Sequence, residues 1–285
     1  MSTRLRDLIS ITKPKIALLN LMTCLTCYFA GSGPIVGALP LFISGYLAAG
    51  GSAVLNNYLD KELDSKMRRT VKRPIPSGRL NPFLTLVMGL LMLIASLVIS
   101  AYTLNPLTSL LMLSGALFYV IVYTLVLKRR TYWNIVIGGA AGSFPPLAGW
   151  AAATGTVAAV PALLAVLIFL WTPGHFWALS IRAVDDYRAA GIPMLPAVVG
   201  VERASEVTGA SNLSMLPLWG LCTFLVPNPV LYLLVSAPLT FVLSFYSLRL
   251  MSSHDPGIAW KLFKYSSPWL MSVCIAVLVS YLIVP

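Results

Sequence analysis

Three oxygen-bearing side chains recur at intervals of four residues in the first quarter of the sequence. Asn56, Asp60 and Asp64 stand at i, i+4 and i+8. On a helix, each step of four advances only about 40° around the axis and about 6 Å along it. The three side chains are therefore predicted to form one stripe along a helix face. Carboxylate and amide oxygens suit Mg²⁺, which binds carboxylates together with substrate phosphates. The stripe predicts a magnesium site of three metal-binding catalytic residues.

A run of basic residues follows the stripe directly. Arginine offers planar, bidentate donors that match phosphate oxygens, so a diphosphate is the anion that such a run would hold. The metal would neutralise negative charge, and the basic side chains would bind the leaving diphosphate. Both would serve one reaction, in which a C–O bond to diphosphate breaks. For the basic run alone, a solvated loop that sets membrane topology is the alternative. The run contains Lys66, Arg68, Arg69, Lys72, Arg73 and Arg79.

The elements that must position these residues are membrane helices. The chain has 285 residues, of which 58% are hydrophobic and only 10% charged, a composition that excludes an ordinary soluble domain. A span needs about 20 mostly apolar residues, and continuous rather than alternating apolar runs favour helices over a barrel. We predict an all-α integral membrane protein, a single domain over residues 1–285. The nine predicted spans are 16–34, 37–56, 83–103, 106–127, 134–153, 157–181, 210–227, 229–250 and 265–284.

The distribution of charge predicts how the spans are oriented. All 20 Lys and Arg residues and all nine Asp and Glu residues lie on one side of the membrane if the N-terminus is cytoplasmic. The net charge of +11 is then a topology signal and an attraction to the anionic lipid bilayer, so no nucleic-acid partner is expected. We find no cleavable targeting segment, which favours the plasma membrane of a bacterium or archaeon over an organelle. The cytoplasmic segments are 1–15, 57–82, 128–133, 182–209 and 251–264, with Arg249 at the end of the eighth span.

The pattern Asn56, Asp60 and Asp64, followed by Arg69-Thr70 and Arg73-Pro74, resembles the signature of the UbiA-type intramembrane prenyltransferases. Three further stretches resemble one branch of that family, the protoheme IX farnesyltransferases, and the resemblance covers roughly residues 13–270. The three stretches are 128–150, 171–179 and 185–196.

The resemblance implies a fold and a reaction. The fold is a nine-helix ring around a central cavity that opens laterally to lipid, with the acidic loops on the cytoplasmic side. The reaction uses Mg²⁺ as cofactor and transfers farnesyl from farnesyl diphosphate to a vinyl group of protoheme IX (heme B), giving heme O. A transient hand-off of the product to heme A synthase or to terminal oxidase assembly is the partner that this reaction implies.

The resemblance also implies roles for residues outside the stripe. Arg69, Arg73 and Lys128 are carried over as diphosphate ligands. Asp186, in the loop after the sixth span, is the candidate for a further catalytic metal ligand, with its neighbour Asp185 as the alternative. Relatives usually carry D-x-x-x-D in this loop and this chain does not, so the number of magnesium ions, one or two, stays open. Tyr123 lies five residues before Lys128 where relatives have a spacing of four, so a diphosphate-binding role is carried over for Lys128 and stays open for Tyr123.

His175 lies inside the sixth predicted span, at a spacing of four, three and four residues from Leu179, Arg182 and Asp186. This spacing predicts a seam on one helix face, along which His175 would coordinate heme iron or orient a propionate. A core histidine that is hydrogen-bonded to a neighbouring helix is the alternative.

Two other functions stay open from the sequence. The acceptor in the same superfamily could be an aromatic quinone precursor, although the missing second D-x-x-x-D argues against it. A transporter of an anionic metabolite is the alternative from another class. That alternative predicts charged groups part-way through several spans, whereas the charges here lie almost entirely at one face.

Overall fold

The chain folds as a bundle of α-helices in the computed structural model, which describes residues 3–283. No β-strand occurs among those residues. The helices are α1 (Thr3–Ile11), α2 (Pro14–Ala30), α3 (Ile35–Leu59), α4 (Lys61–Lys66), α5 (Pro82–Thr103), α6 (Pro106–Leu117), α7 (Asn134–Gly138), α8 (Phe144–Thr154), α9 (Ala159–Arg182), α10 (Val184–Ala189), α11 (Leu195–Val199), α12 (Val201–Leu213), α13 (Leu216–Cys222), α14 (Pro229–Ser253) and α15 (Pro256–Leu282), with a π-helical segment Phe118–Leu127 after α6 and a 3-10 segment Gly139–Ser143 after α7.

Seven helices in the described part of the chain are long and apolar enough to cross a membrane, so the protein is a multi-pass membrane protein. The number is eight if α1 and α2, which meet at 45°, count as one span. The predicted span 210–227 falls across the end of α12 and the short α13, and neither qualifies by length. The count of nine and the cytoplasmic N-terminus therefore stay predictions. The seven helices are Ile35–Leu59, Pro82–Thr103, Pro106–Leu127, Asn134–Thr154, Ala159–Arg182, Pro229–Ser253 and Pro256–Leu282.

Helix starts follow local capping chemistry. The side chain of Asn81 accepts hydrogen bonds from the backbone N–H groups of Phe83 and Leu84, and proline occupies the first turn of α5. Asp255 caps α15 in the same way, accepting from the Gly257 N–H. Because that cap lies before the predicted span, α15 begins nine residues earlier than predicted and makes most of segment 251–264 helical. Residue 284, the last of that predicted span, and residues 1 and 2 of segment 1–15 lie outside the described residues.

Close helix packing depends on small residues where backbones meet. A Cβ added to Gly149 on α8 would lie 1.8 Å from the carbonyl oxygen of Cys24 on α2. A Cβ on Gly51 of α3 would lie 3.0 Å from the carbonyl oxygen of Gly89 on α5. Small residues permit this backbone approach, which is the usual device of membrane helix pairs. These contacts pack α8 closely against α2, and α3 closely against α5.

Candidate active site

The predicted stripe lies at the junction of α3 and α4. Although α3 ends at Leu59, helical backbone hydrogen bonds continue through the junction: the Asp60 N–H donates to the Asn56 carbonyl at 2.9 Å, and the Asp64 N–H donates to the Asp60 carbonyl at 2.8 Å. Asn56, Asp60 and Asp64 are only 3%, 1% and 3% exposed. Asn56 Nδ2 donates to Asp60 Oδ2 at 2.9 Å, so these two neighbours of the stripe are in direct contact.

Asp60 pairs with a cation from a distant part of the chain. Lys128, at the end of the π-helical segment, donates from Nζ to Asp60 Oδ2, and its side chain is 13% exposed. The second oxygen, Asp60 Oδ1, is buried and has no hydrogen-bond partner among the described residues. A buried carboxylate oxygen without a partner is costly. This oxygen is therefore available to a metal ligand set.

The loop between α4 and α5, residues 67–81, carries most of the basic run and is called the basic loop. It folds back over the stripe. Arg73 Nη1 donates to Asp64 Oδ2 at 2.7 Å, and Thr70 Oγ1 donates to the Asp64 carbonyl at 2.9 Å. The Asp64 side chain is nearly fully buried in this pair, whereas the Arg73 side chain is 29% exposed. Arg73 therefore lies between the buried carboxylates and solvent, where an incoming phosphate would meet it.

The loop after α9 reaches the same place through Asp186. Its carboxylate accepts hydrogen bonds from the backbone N–H groups of Arg68 and Arg69, at 3.3 Å and 3.1 Å. Asp185 points away: its side chain is 96% exposed and pairs only loosely with Arg188, at 3.9 Å. The structure thus brings Asp186 together with the basic loop. Its carboxylate oxygens contact backbone amides there.

The predicted seam from His175 to Asp186 on one helix face is wrong. The helix α9 ends at Arg182, and Asp186 belongs to the separate α10. The backbone of Ala183, with φ −113° and ψ 26°, leaves the helical conformation between them. Beyond this break, Asp186 contacts the backbone N–H groups of Arg68 and Arg69.

His175 itself packs inside the bundle. Its Nδ1 lies 2.6 Å from Ser266 Oγ on α15. The imidazole stacks on Trp171 and Phe263, with ring centroids 4.3 Å and 4.6 Å away. A hydrogen bond to a neighbouring helix is what the core-histidine alternative expects, and it also fixes the ring orientation. The heme-binding role of His175 stays a prediction.

The π-helical segment explains the five-residue spacing between Tyr123 and Lys128. The Lys128 N–H donates to the Tyr123 carbonyl at 2.9 Å, a bond between residues five apart, as a π-turn requires. Tyr123 and Lys128 therefore stand one turn apart despite the extra residue. The same segment supplies Thr124, whose Oγ1 accepts from Asn56 Nδ2 at 3.0 Å and donates to the Tyr119 carbonyl at 2.9 Å. No sequence pattern indicates Thr124, because its contact with Asn56 spans 68 residues.

Lys13 is a second residue that the sequence analysis missed. It lies at the break between α1 and α2, and its Nζ donates to Asn56 Oδ1 at 2.5 Å. Burial, then the nearby charges of Arg73 and Lys128, lower the pKa of Lys13 to about 7. An anion bound between these cations would favour the protonated amine. The basic residue directly before Pro14 was the available signal, although nothing in the sequence places it over Asn56.

The donor set at the stripe fits a magnesium ion. Amide and carboxylate oxygens from Asn56, Asp60 and Asp64 are hard ligands of the type that Mg²⁺ takes. The buried Asp60 Oδ1 has no hydrogen-bond partner within residues 3–283. No group of three His, Cys, Asp or Glu side chains in the described part of the chain is arranged to hold a metal alone. This agrees with the usual habit of Mg²⁺, which completes its shell with water and substrate phosphates.

The sequence matches a known family model over most of its length. The model, described as the UbiA prenyltransferase family, matches residues 20–272. Protoheme IX farnesyltransferase 1 of Cenarchaeum symbiosum is 39% identical over 280 residues, which cover 95% of this chain and 94% of the relative. Protoheme IX farnesyltransferase of Roseiflexus castenholzii is 42% identical over 278 residues, 96% of this chain, and the chain spans about half (52%) of that relative's length.

A solved structure shows the same fold. A UbiA homologue from Archaeoglobus fulgidus, bound to GPP and Mg²⁺, superimposes with a TM-score of 0.70, covering 96% of this chain and 99% of that one. The two sequences are 17% identical, so this likeness shows the fold alone. The predicted all-α architecture of the UbiA type is confirmed.

Proposed function

The chain belongs to the UbiA prenyltransferase family, and from that premise we propose that it is a protoheme IX farnesyltransferase. It transfers farnesyl from farnesyl diphosphate to a vinyl group of protoheme IX and yields heme O. Two relatives that are 39% and 42% identical to this chain carry that name. The observation in this chain that carries the proposal is the buried Asn-Asp-Asp stripe, whose carboxylates contact Lys128 and Arg73.

The residues of the stripe are proposed to hold the metal, and the cations to hold the diphosphate. Asn56, Asp60 and Asp64 would bind Mg²⁺. Asp186, in the segment after α9, is the remaining proposed ligand. Bound there, the metal would neutralise negative charge on the leaving diphosphate. The diphosphate ligands of this proposal are Arg69, Arg73 and Lys128.

The reaction breaks the C–O bond to diphosphate, forms one C–C bond, and forms a new C–O bond to a water oxygen that loses a proton. The bond between C1 of farnesyl and the diphosphate oxygen breaks, and its electron pair leaves with the diphosphate. The electron pair of the heme vinyl group then forms a C–C bond to C1 of the allylic cation. Water adds to the resulting carbocation next to the porphyrin ring and loses a proton, which leaves the hydroxyl of heme O. Heme B, farnesyl diphosphate and water thus become heme O, diphosphate and a proton.

The described side chains serve the charge that develops in this reaction. Arg73 and Lys128 already lie against carboxylates, so their guanidinium and ammonium groups are held in place before the diphosphate binds. The stripe is at most 3% exposed. A buried diphosphate site would limit the access of bulk water to the allylic cation before the vinyl group reacts.

Substrate recognition and cellular context complete the proposal. His175 would bind the heme through its imidazole, whose orientation the Nδ1 contact with Ser266 Oγ fixes. The protein would act in the plasma membrane of a bacterium or archaeon with its site facing the cytoplasm. Heme O would be handed transiently to heme A synthase or to terminal oxidase assembly.

The test uses purified protein in detergent, incubated with heme B, farnesyl diphosphate and Mg²⁺, with products resolved by mass spectrometry. We expect a heme O mass that is absent when EDTA is included. A parallel reaction replaces heme B with an aromatic quinone precursor. Prenylation of that aromatic acceptor without any heme product would overturn the heme assignment and keep the prenyltransferase activity.

A further inference from the structure

Lys13 occupies a strained position at the break between α1 and α2. Its φ of 49° and ψ of 59° place a residue with a side chain in the left-handed region. This conformation is unfavourable for a residue with a Cβ atom. Pro14 follows and starts α2, so the chain turns at Lys13 rather than continuing one helix. The turn directs a lysine side chain from the bundle's periphery toward the buried stripe.

The contacts of Lys13 show which atom of the stripe it meets. Asn56 donates through Nδ2 to Asp60 Oδ2 and to Thr124 Oγ1, at 2.9 Å and 3.0 Å, which fixes the orientation of its amide. The remaining atom, Asn56 Oδ1, therefore faces Lys13 Nζ at 2.5 Å. Tyr119 Oη lies 3.4 Å from the same Nζ. Lys13 is thus a third cation in contact with the stripe, beside Lys128 and Arg73.

Lys13 also lines an open cleft of about 570 Å³ between α1 and the basic loop. The cleft has a single carboxylate, Asp7, which is already paired with Arg79 at 2.9 Å. That hydrogen bond raises the pKa of the Arg79 guanidinium. The other charged lining residues are basic, so the cleft suits a polyanion. The basic lining residues are Arg6, Lys13, Arg69, Lys72, Arg73 and Arg79.

Lys13 and Arg73 share an arrangement that no other pair in the cleft has. Each lines the cleft on one side and donates a hydrogen bond to a residue of the stripe on the other. A phosphate group entering from the cleft would meet both cations before it meets the carboxylates. The donor groups of Lys13 and Arg73 therefore lie between the cleft, where phosphate oxygens would enter, and the side-chain oxygens of the stripe, which would bind the metal.

We propose that Lys13 is a diphosphate-binding residue of this enzyme, positioned by the strained turn before Pro14 at the inner end of the basic cleft. The inference rests on the proposed function and extends its set of diphosphate ligands by one residue from the N-terminal segment. On binding, Lys13 Nζ donates to a phosphate oxygen, and Asn56 Oδ1 becomes available to the metal.

The experiment measures binding of inorganic diphosphate, in the presence of Mg²⁺, to purified full-length protein in detergent by titration calorimetry. Lys13→Met removes a charge-assisted hydrogen bond, so we expect affinity to fall by about ten- to a hundred-fold. Lys13→Arg should restore affinity to within a few-fold of wild type. Lys15→Met is the matched control, because Lys15 carries the same charge two residues away on the exposed side of α2. It should bind as wild type does.

Two further arms separate the explanations. Lys13→Gln keeps a hydrogen-bond donor for Asn56 without the charge. If it melts as wild type does but binds diphosphate as weakly as Lys13→Met, the charge acts on the ligand. If Lys13→Gln and a folded Lys13→Met both bind diphosphate as tightly as wild type, Lys13 only anchors the turn and the inference is wrong. If the wild-type protein itself does not bind magnesium diphosphate, the proposed function fails first, and the inference fails with it.

Discussion

Replacing Asp60 tests whether the buried ion pair serves catalysis or only folding. Asp60 is 1% exposed, and the Lys128 side chain paired with it is 13% exposed. Asp60→Ala would leave the Lys128 ammonium buried without its counter-charge. Losing one partner of a buried pair costs about 3–5 kcal/mol of unfolding free energy. Since whole domains are stable by only about 5–15 kcal/mol, the single variant should melt well below wild type.

The double variant Asp60→Ala/Lys128→Met separates the two roles. It removes both charges, and apolar replacements of a buried pair are often neutral or stabilising. Its melting temperature should therefore return to near that of wild type. Its turnover should stay at least about 10²- to 10³-fold below wild type, because one electrostatic group of a reaction centre contributes that much. Thermal unfolding in detergent and release of diphosphate from farnesyl diphosphate give the two numbers.

Two results would refute this reasoning. If the single variant melts as wild type does, the pair does not stabilise the fold as its burial implies. If the double variant turns over within ten-fold of wild type, Asp60 and Lys128 are a structural pair, and the reaction centre lies elsewhere. The matched control is Arg203→Met, since Arg203 pairs with Glu206 at 2.8 Å on an exposed surface, where such pairs contribute little.

Three other expectations follow from contacts outside that pair. Asp186→Asn weakens the hydrogen bonding between the Asp186 side chain and the Arg68 and Arg69 backbone N–H groups, so KM for farnesyl diphosphate should rise about ten-fold. Asp185→Asn, at an exposed side chain, should leave KM unchanged. Equal effects of the two variants would show that Asp186 does not position the basic loop. His175→Ala should weaken heme B binding, measured by titrating the Soret band, and unaltered heme affinity would assign His175 to the core. Gly149→Ala places a Cβ 1.8 Å from the Cys24 carbonyl oxygen, which should lower the free energy of unfolding by about 1–3 kcal/mol or more. An unchanged melting temperature would show that α2 and α8 can move apart without loss of stability.

Most of the membrane helices were predictable because their signals are local. Long apolar runs and the proline and asparagine residues at their starts predicted α5 from 83 where the structure begins it at Pro82. The predicted helix bounds were wrong where a polar segment is nevertheless helical. Charged residues near Lys261 led to a predicted loop, whereas the helix α15 simply continues past the apolar region. The 3-10 segment Gly139–Ser143 interrupts a run whose composition alone is continuous and apolar.

The stripe was predictable because its three members belong to one helical run. Spacing alone places Asn56, Asp60 and Asp64 on one face, and the structure brings the predicted Arg73 and Lys128 to it. Lys13 and Thr124 were not predictable, because they lie 43 and 68 residues from Asn56 and meet it only through tertiary packing. The π-helical register that positions Thr124 has no compositional signal beyond the unusual spacing of Tyr123 and Lys128.

In the proposed reaction, the cluster around Asp60 transfers farnesyl to heme, and water then supplies the hydroxyl oxygen of the product. The most direct test compares wild type with Asp60→Asn, which keeps the side-chain shape, on heme B and farnesyl diphosphate with Mg²⁺ in ¹⁸O-labelled water. Wild type is predicted to form a heme product that carries both the farnesyl group and one labelled oxygen, and the variant to form none. If the wild type forms no farnesylated heme, or if the variant is equally active, the proposed reaction at Asp60 is wrong.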